Sequence, residues 1–504
     1  MKKEEKLYDA ITEIDDELVE EAQQRRQRPS RRKLWYGLTA ACLALALCVG
    51  AVALWWPEAE PADGGSMYNS SSAENTLPAP GNQAYDGTDG MSLAQPYALS
   101  NVVYPEVTPY PADPNWDNAG YLDWALARND RIQLQYRSEG LDAFLQNSMR
   151  AMLQGEENRV CSPLNVYMAF AMLAEVTEGN SRQQLLDALG ADGIEDLRTQ
   201  AANLWKANYC DDGTVTSRLG ASLWLSDRVS FKQETLDTLA STYYAAAFRG
   251  TMGDPDFDAA LQDWLNEQTE GLLSEQVGEL YMDARTAMAL VTTIYYCARW
   301  DNEFSQDNTT LETFHAPAGD MDCTFLNDSA EGSYYWGENF SAVGRALDKS
   351  GTMWLILPDE DTDLSALLQD SEVMDFILSG GDWENHTDLT VNLSVPKFDV
   401  SSQLDLRETM QTLGVTDVLD ATCADFSPLT EDVELVVSQA LHGARVKIDE
   451  EGVEAAAYTI LRLYGSLPTS PEEEIDFVLD RPFLFVITNE QGLPLFAGTV
   501  YRPV

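Results

Sequence analysis

The order of patterned segments predicts an α+β domain. Helical periodicity dominates from about residue 122 to 280, most clearly over 141–154, 163–175 and 257–270. Strand-like runs take over after Ala287, at 288–296, 351–357, 389–395, 435–437, 444–448 and 483–487. Two further segments precede this domain, one apolar and one rich in Pro, Ser, Gly, Asn and Asp. Four regions follow: a tail over 1–33, an apolar span over 34–56, a linker over 57–117 and the α+β domain over 118–504.

A chain of 504 residues exceeds a typical single domain, and 44% hydrophobic residues with 12 Trp suffice for a large core. The formal net charge of −51 argues against nucleic acid and anionic lipid surfaces as partners. In the tail, Leu7, Ile11, Ile14 and Leu18 share one face of an acidic helix, which reads as a solvated tail or a docking helix.

The span over 34–56 carries no charge and has the length of a membrane-crossing helix. Trp35, Tyr36, Trp55 and Trp56 mark its ends, where interfacial aromatics belong. Arg25, Arg26, Arg28, Arg31, Arg32 and Lys33 precede it, which predicts a cytoplasmic N-terminus and everything after Pro57 outside. Trp55-Trp56-Pro57 is a poor exit for a signal peptidase, so an uncleaved signal anchor is expected. Residues 57–117 lack apolar periodicity and read as a disordered extracellular stalk.

No metal, nucleotide or catalytic constellation is apparent, so neither a cofactor nor an enzymatic activity is expected. His315, His386 and His442 show no ligand spacing, and Gly-rich phosphate loops are absent. The cysteines outside the span are odd in number and irregular in spacing, which is no disulfide framework.

Near the C-terminus lies Glu450-Glu451-Gly452-Val453-Glu454-Ala455-Ala456-Ala457-Tyr458-Thr459. Read as a strand, Val453, Ala455, Ala457, Thr459, Leu461 and Leu463 share one small or apolar face. Glu454, Ala456, Tyr458, Ile460, Arg462 and Tyr464 share the other, which suits solvent. No Pro occurs from Val453 to Leu467, so every backbone N–H can pair, and Gly452 permits a tight reversal at the base. The competing reading is a surface helix, since Glu and Ala favour helices.

This stretch, followed by Asp480-Arg481-Pro482-Phe483 and Leu495-Phe496-Ala497-Gly498, resembles the hinge, reactive loop and closing strands of the serpin family. The resemblance covers the whole domain. Cys161-Ser162-Pro163-Leu164-Asn165 resembles the start of the family's central buried helix. Ala221-Ser222-Leu223-Trp224 is similar to a strand start in its main sheet. Trp264-Leu265-Asn266 with Thr269 and Gly271, then Thr292-Thr293-Ile294-Tyr295-Tyr296-Cys297-Ala298-Arg299-Trp300, follow in the family's order. So do Pro396-Lys397-Phe398, Leu413-Gly414 and Asp425-Phe426-Ser427. The family's usual Asn is Thr292 here, its usual Lys is Cys297, and its usual Gly-Ala after the buried helix is Val176-Thr177.

The resemblance implies three β-sheets, eight or nine helices and an exposed reactive loop. It implies an inhibitor of serine proteases, with cysteine proteases as a second class, that forms a covalent complex and acts as a monomer. It places the sheet opening around Ser162, Thr292, Trp300 and His442. Family spacing from Gly452 sets the attacked bond at Ser466–Leu467, with Tyr464 and Arg462 as alternatives. A non-inhibitory binding or signalling domain on the same fold is the second implied reading.

Overall fold

The strands of the domain follow from short runs of β-branched and aromatic residues that alternate in burial or are buried on both faces. The computed structural model describes residues 46–55, 92–100, 102–112, 119–135, 137–271, 274–278, 280–453 and 473–503. In chain order the strands are β1 (Ala46–Trp55), β2 (Ala98–Ser100), β3 (Arg159–Cys161), β4 (Cys210–Asp211), β5 (Val215–Ser226) and β6 (Ala245–Gly250). Then come β7 (Thr286–Arg299), β8 (Thr310–Ala316), β9 (Gly319–Trp336), β10 (Phe340–Leu347), β11 (Gly351–Pro358) and β12 (His386–Pro396). The last are β13 (Asp399–Asp405), β14 (Val436–Lys447), β15 (Gly452–Val453), β16 (Glu474–Val478), β17 (Phe483–Asn489) and β18 (Pro494–Val500).

The main sheet runs β13-β14-β1-β7-β5-β6-β2, with β15 on β7 and β4 on β5. The second runs β16-β12-β9-β10-β11-β17-β18-β3, with β8 on β9. Three sheets were expected, and two hydrogen-bonded networks are found. The cause is the 18-residue β9, whose early part pairs β8 and whose end pairs β10, while β12 pairs it in between. One strand therefore joins what would otherwise be separate sheets. Nine α-helices of seven or more residues lie among the described residues.

Four helices bear on the site: α1 (Glu139–Met152), α2 (Pro163–Glu175), α3 (Ile194–Asn208) and α4 (Pro255–Gln268). Ser162 caps α2, accepting from the Asn165 N–H at 3.1 Å, and Pro163 fills the first turn. All thirteen residues of α2 are buried, and the helix lies against β1, β7 and β18. A helix apolar all round belongs inside a core, and here it is the floor beneath the main sheet. On the sheet's other face α4 covers Ala289 and Val291 with Leu261 and Leu265. Asp254 caps α4 before Pro255, so the helix begins two residues earlier than its apolar pattern suggests.

The apolar span is the largest correction. A membrane helix was expected over 34–56, yet Ala46–Trp55 is a strand of the main sheet. It pairs antiparallel with β14 from Ala46↔Val446 to Trp55↔Val436, and with β7 from Ala46↔Tyr296 to Trp55↔Thr286. Residues 34–45 and Trp56 lie outside the described residues. No helix among the described residues is long and apolar enough to cross a membrane. The physical reason is that apolarity does not choose between helix and strand. Val49 and Val52 suit extended backbone, and β7 and β14 present N–H and C=O groups that need a partner.

The linker boundary also moves. Residues 1–33 lie outside the described residues, but 92–100 and 102–112 are described and pack on the domain. Ala98 and Ser100 pair Phe248 and Ala247 of β6. Tyr104 stacks on Trp205, and Tyr110 meets Trp124 edge-on. Their aromatic rings, spaced among Pro and polar residues, hide this docking from any periodicity test. β14 is likewise one strand where two runs were expected, because Gln439, His442 and Gly443 interrupt the apolar pattern but not the pairing, and Ser438 causes only a register shift.

One ion pair secures the floor. Glu175, at the end of α2, is 4% exposed and is held by the Arg198 guanidinium of α3, with Nε donating at 2.9 Å, and by the Tyr243 hydroxyl at 3.4 Å. Removing the cation strands a buried carboxylate. Arg198→Leu is expected to lower stability by about 3 kcal/mol, and Glu175→Gln with Arg198→Leu to recover most of it. Urea unfolding of the three proteins checks this.

Candidate functional site: the loop hinge and the opening of the main sheet

The hinge begins where β14 ends. Asp449 Oδ1 accepts from the backbone N–H of Glu451 at 2.9 Å and of Gly452 at 3.2 Å. The Asp449 N–H in turn donates to the Gly452 carbonyl at 3.1 Å. A short acidic side chain thus folds the chain back on itself. The reversal places Gly452 opposite Arg299 and Val453 opposite Ala298 of β7. Val453 is fully buried.

Gly452 was expected to permit a tight reversal at the base of the loop. Its φ lies outside the left-handed region, and the need is steric instead. A Cβ there would come within 2.4 Å of the Ala298 carbonyl oxygen and 2.7 Å of the Arg299 Cα. Only glycine lets β15 approach β7 so closely.

Glu450 and Glu451 complete the base. Glu450 forms an ion pair with Lys397 at 2.6 Å and accepts from the Thr309 hydroxyl at 3.0 Å. Partial burial pushes its carboxyl up, but the hydrogen bonds from Lys397, its own amide and Thr309 outweigh this and hold it below the usual range. The Glu451 carbonyl accepts from the Trp300 N–H at 3.1 Å, and the Trp300 indole donates to the Asp449 carbonyl at 2.8 Å. Trp300 is buried and meets Phe304 edge-on, so it forms a wall at the head of β7 where the hinge enters. Glu454, Ala455, Ala456, Ala457 and Thr459 lie outside the described residues, as do Arg462, Tyr464, Ser466 and Leu467.

Halfway down the sheet, a hydrogen-bonded chain crosses from β14 to β7 through the floor helix. His442 of β14 accepts at Nε2 from the Ser162 N–H at 3.0 Å. Ser162 Oγ accepts from the Asn165 N–H, and Asn165 Nδ2 donates to the Thr292 carbonyl of β7 at 3.4 Å. His442, Ser162 and Thr292, expected together from the resemblance, are thus brought together, with Trp300 at the upper end. Because Nε2 accepts, the neutral ring carries its proton on Nδ1, and Nδ1 has no partner among the described residues. Burial alone pushes the His442 imidazole down to about 3.

Sequence reasoning missed Asp449, Lys397 and Thr309 as hinge residues and Asn165 as the bridge. Asp449 carried a local signal, an acidic side chain three residues before a glycine. The other three act over long separations that no local pattern encodes.

His442 gives a pH dependence with a definite sign. Its folded value lies far below the ordinary 6.5, so the unfolded chain binds the proton first. Its contribution is complete above pH 6.5 and is lost as pH falls toward 3. Between pH 6.5 and 5 the loss is about 2 kcal/mol. His315 acts in the opposite sense, since its bond to Asp320 raises it, and it is fully exposed. Melting temperatures over pH 5–7 are expected to fall on acidification in the parent and to flatten in His442→Gln.

Known proteins match this architecture. The family model described as Serpin (serine protease inhibitor) matches residues 140–503. Plasminogen activator inhibitor 1 of Bos taurus is 29% identical over 377 residues, covering 69% of this chain and 87% of its own length. The leukocyte elastase inhibitor of Sus scrofa is 28% identical over 359 residues, covering 69% and 93%. The crystal structure of a thermophilic serpin, tengpin, in the native state superposes with a TM-score of 0.64 at 23% identity, covering 73% of this chain and 95% of its own. Thyroxine-binding globulin complexed with thyroxine gives a TM-score of 0.62 at 20% identity, covering 72% and 99%. The chain belongs to the serpin family.

Proposed function

We propose that this serpin inhibits serine-type proteases by suicide trapping, with the segment after Val453 as bait. One observation carries the reading: the hinge base at Gly452–Val453 is paired on β7 and aimed down the middle of the main sheet. The relatives named as inhibitors of plasminogen activator and of leukocyte elastase support it.

The chemistry belongs to the protease. Its serine oxygen attacks the carbonyl of Ser466, the bond to Leu467 breaks, and Leu467 leaves as a new amino terminus. Ser466 stays esterified to the protease. The cut loop then enters the main sheet as a strand and carries the ester-linked protease with it. Distortion of the protease prevents water from completing hydrolysis. The inhibitor itself acts as bait and spring, and a monomer suffices. Tyr464 and Arg462 are the alternative attacked positions. Ser466 suits a protease with a small primary pocket, Tyr464 a chymotrypsin-like one and Arg462 a trypsin-like one.

We also propose that residues 34–56 can leave the sheet and tether the domain to a membrane as a single spanning helix, with residues 1–33 cytoplasmic and the serpin domain outside. The uncharged span, its terminal aromatics and the basic cluster before it support this reading.

A second reading, a non-inhibitory binding domain on this fold, is supported by Thr292 and Cys297, which stand where the family's usual Asn and Lys are found. Thyroxine-binding globulin shows that the fold also serves ligand binding.

Incubation with elastase-, subtilisin-, chymotrypsin- and trypsin-like proteases separates the readings. The expected result is an SDS-resistant band at the summed mass, with a released peptide beginning at Leu467. Clean loop cleavage by every protease with no such band would favour the binding reading.

A further inference from the structure

The hinge and the N-terminal strand compete for one place. Gly452 and Val453 pair Arg299 and Ala298 of β7. β1 starts two residues further down, with Ala46 opposite Tyr296. Extending the hinge in its own register puts Ala455 opposite Tyr296, where Ala46 sits. Thr459 then falls opposite Thr292, where Gly50 sits, and Leu463 opposite Met288, where Leu54 sits. β1 runs antiparallel to both β7 and β14, the direction a strand takes after reversing at the end of β14. The sheet has one row of backbone partners between those strands, so it holds β1 or the loop, not both.

The two occupants differ at the level of the buried histidine. Gly50 lies opposite both Thr292 and His442 and has no side chain to offer. Thr459 at that position brings a hydroxyl to the same face as His442, whose Nδ1–H lacks an acceptor among the described residues. A loop strand in that register would offer this Nδ1–H the acceptor that Gly50 cannot.

We propose that Ala46–Trp55 is an internal occupant of the insertion slot, and that the loop enters the sheet only after this segment leaves it. A lipid bilayer is the acceptor that releases it, because the same uncharged span is long enough to cross as a helix and one segment cannot do both. The part played by the bilayer rests on the tethering reading above. The chain off the membrane is a substrate of proteases; on the membrane it is armed.

Cys48 of β1 supplies a test, since it lies opposite Ala444 of β14 and Ile294 of β7. Opposed Cα atoms of antiparallel strands lie about 4.5–5.5 Å apart, within disulfide range. The full chain carrying Ala444→Cys is oxidised without lipid and mapped by mass spectrometry, with Ile294→Cys as the independent second site. A peptide joining Cys48 to the new cysteine is expected. Loop cleavage is then expected to leave the melting temperature of the crosslinked chain unchanged. It is expected to raise that of the reduced chain in nanodiscs, and of the full chain carrying Val49→Pro and Ala51→Pro. Thr459→Val should shrink that rise. Absence of both crosslinks, or an equal rise in crosslinked and freed chains, or no rise in either freed chain, would overturn the proposal. A rise in the double-proline chain but not in nanodiscs overturns the bilayer's part alone. Crosslinking and melting do not involve protease trapping, so a freed chain that inserts its loop yet forms no SDS-resistant band would sink the inhibitory reading and leave the occupant in place.

Discussion

The structure depends on a gap in the middle of a sheet. β7 and β14 are held apart by one strand's width, and each turns backbone N–H and C=O groups toward the other. Buried backbone groups without partners cost about 1–3 kcal/mol apiece, so the gap cannot stay empty along its whole length. An extended segment fills it. In the structure the filler is Ala46–Trp55. The Asp449 turn, the shape of Gly452 and the apolar floor all make sense as ways of offering the same place to the loop.

The floor sets the width of the gap independently of what fills it. The chain from His442 through Ser162 and Asn165 to the Thr292 carbonyl ties β14 to β7 without using any atom of the strand between them. Its anchor is α2, whose residues are all buried and whose end is locked by Glu175, Arg198 and Tyr243. This wholly buried helix carries its hydrogen-bonded serine and asparagine where it meets the sheet and its one acid at the opposite end. The neutral histidine fits that economy, since a charged ring at the same depth would be expensive.

Much of this was legible in the sequence, and the residues show why. Ser162-Pro163 announced the start of α2 because capping is local chemistry. The long run ending at Trp300 announced β7 because a strand buried on both faces reads as unbroken apolar sequence. β14 was split in two by its own polar residues, whose pairing on both sides no one-dimensional pattern reveals. The fate of 46–55 was misread for a deeper reason. Hydropathy measures the wish to leave water, and a membrane and a sheet interior satisfy that wish equally well. What distinguishes them is the presence of two open strand edges hundreds of residues away. Lys397 and Thr309 escaped for the same reason: they reach Glu450 only once β8 and the end of β12 have been placed.

Register is what makes the hinge specific. A slip of one residue would exchange the two faces of the entering strand. A strand continued in the register of Gly452 and Val453 would set Ala455, Ala457, Thr459, Leu461 and Leu463 opposite Tyr296, Ile294, Thr292, Leu290 and Met288. Those residues, Thr292 apart, belong to the main core. Glu454 and Arg462 would then come opposite Cys297 and Ala289, on the side that α4 covers. Slipped by one, both charges would point at the floor helix, where Glu175 is already paired and His442 is neutral. The contact between Gly452 and the Ala298 carbonyl, too close for any Cβ, therefore does more than admit the chain. Together with the Asp449 turn it fixes the first two pairs, and those pairs decide on which side of the sheet every later charge must lie.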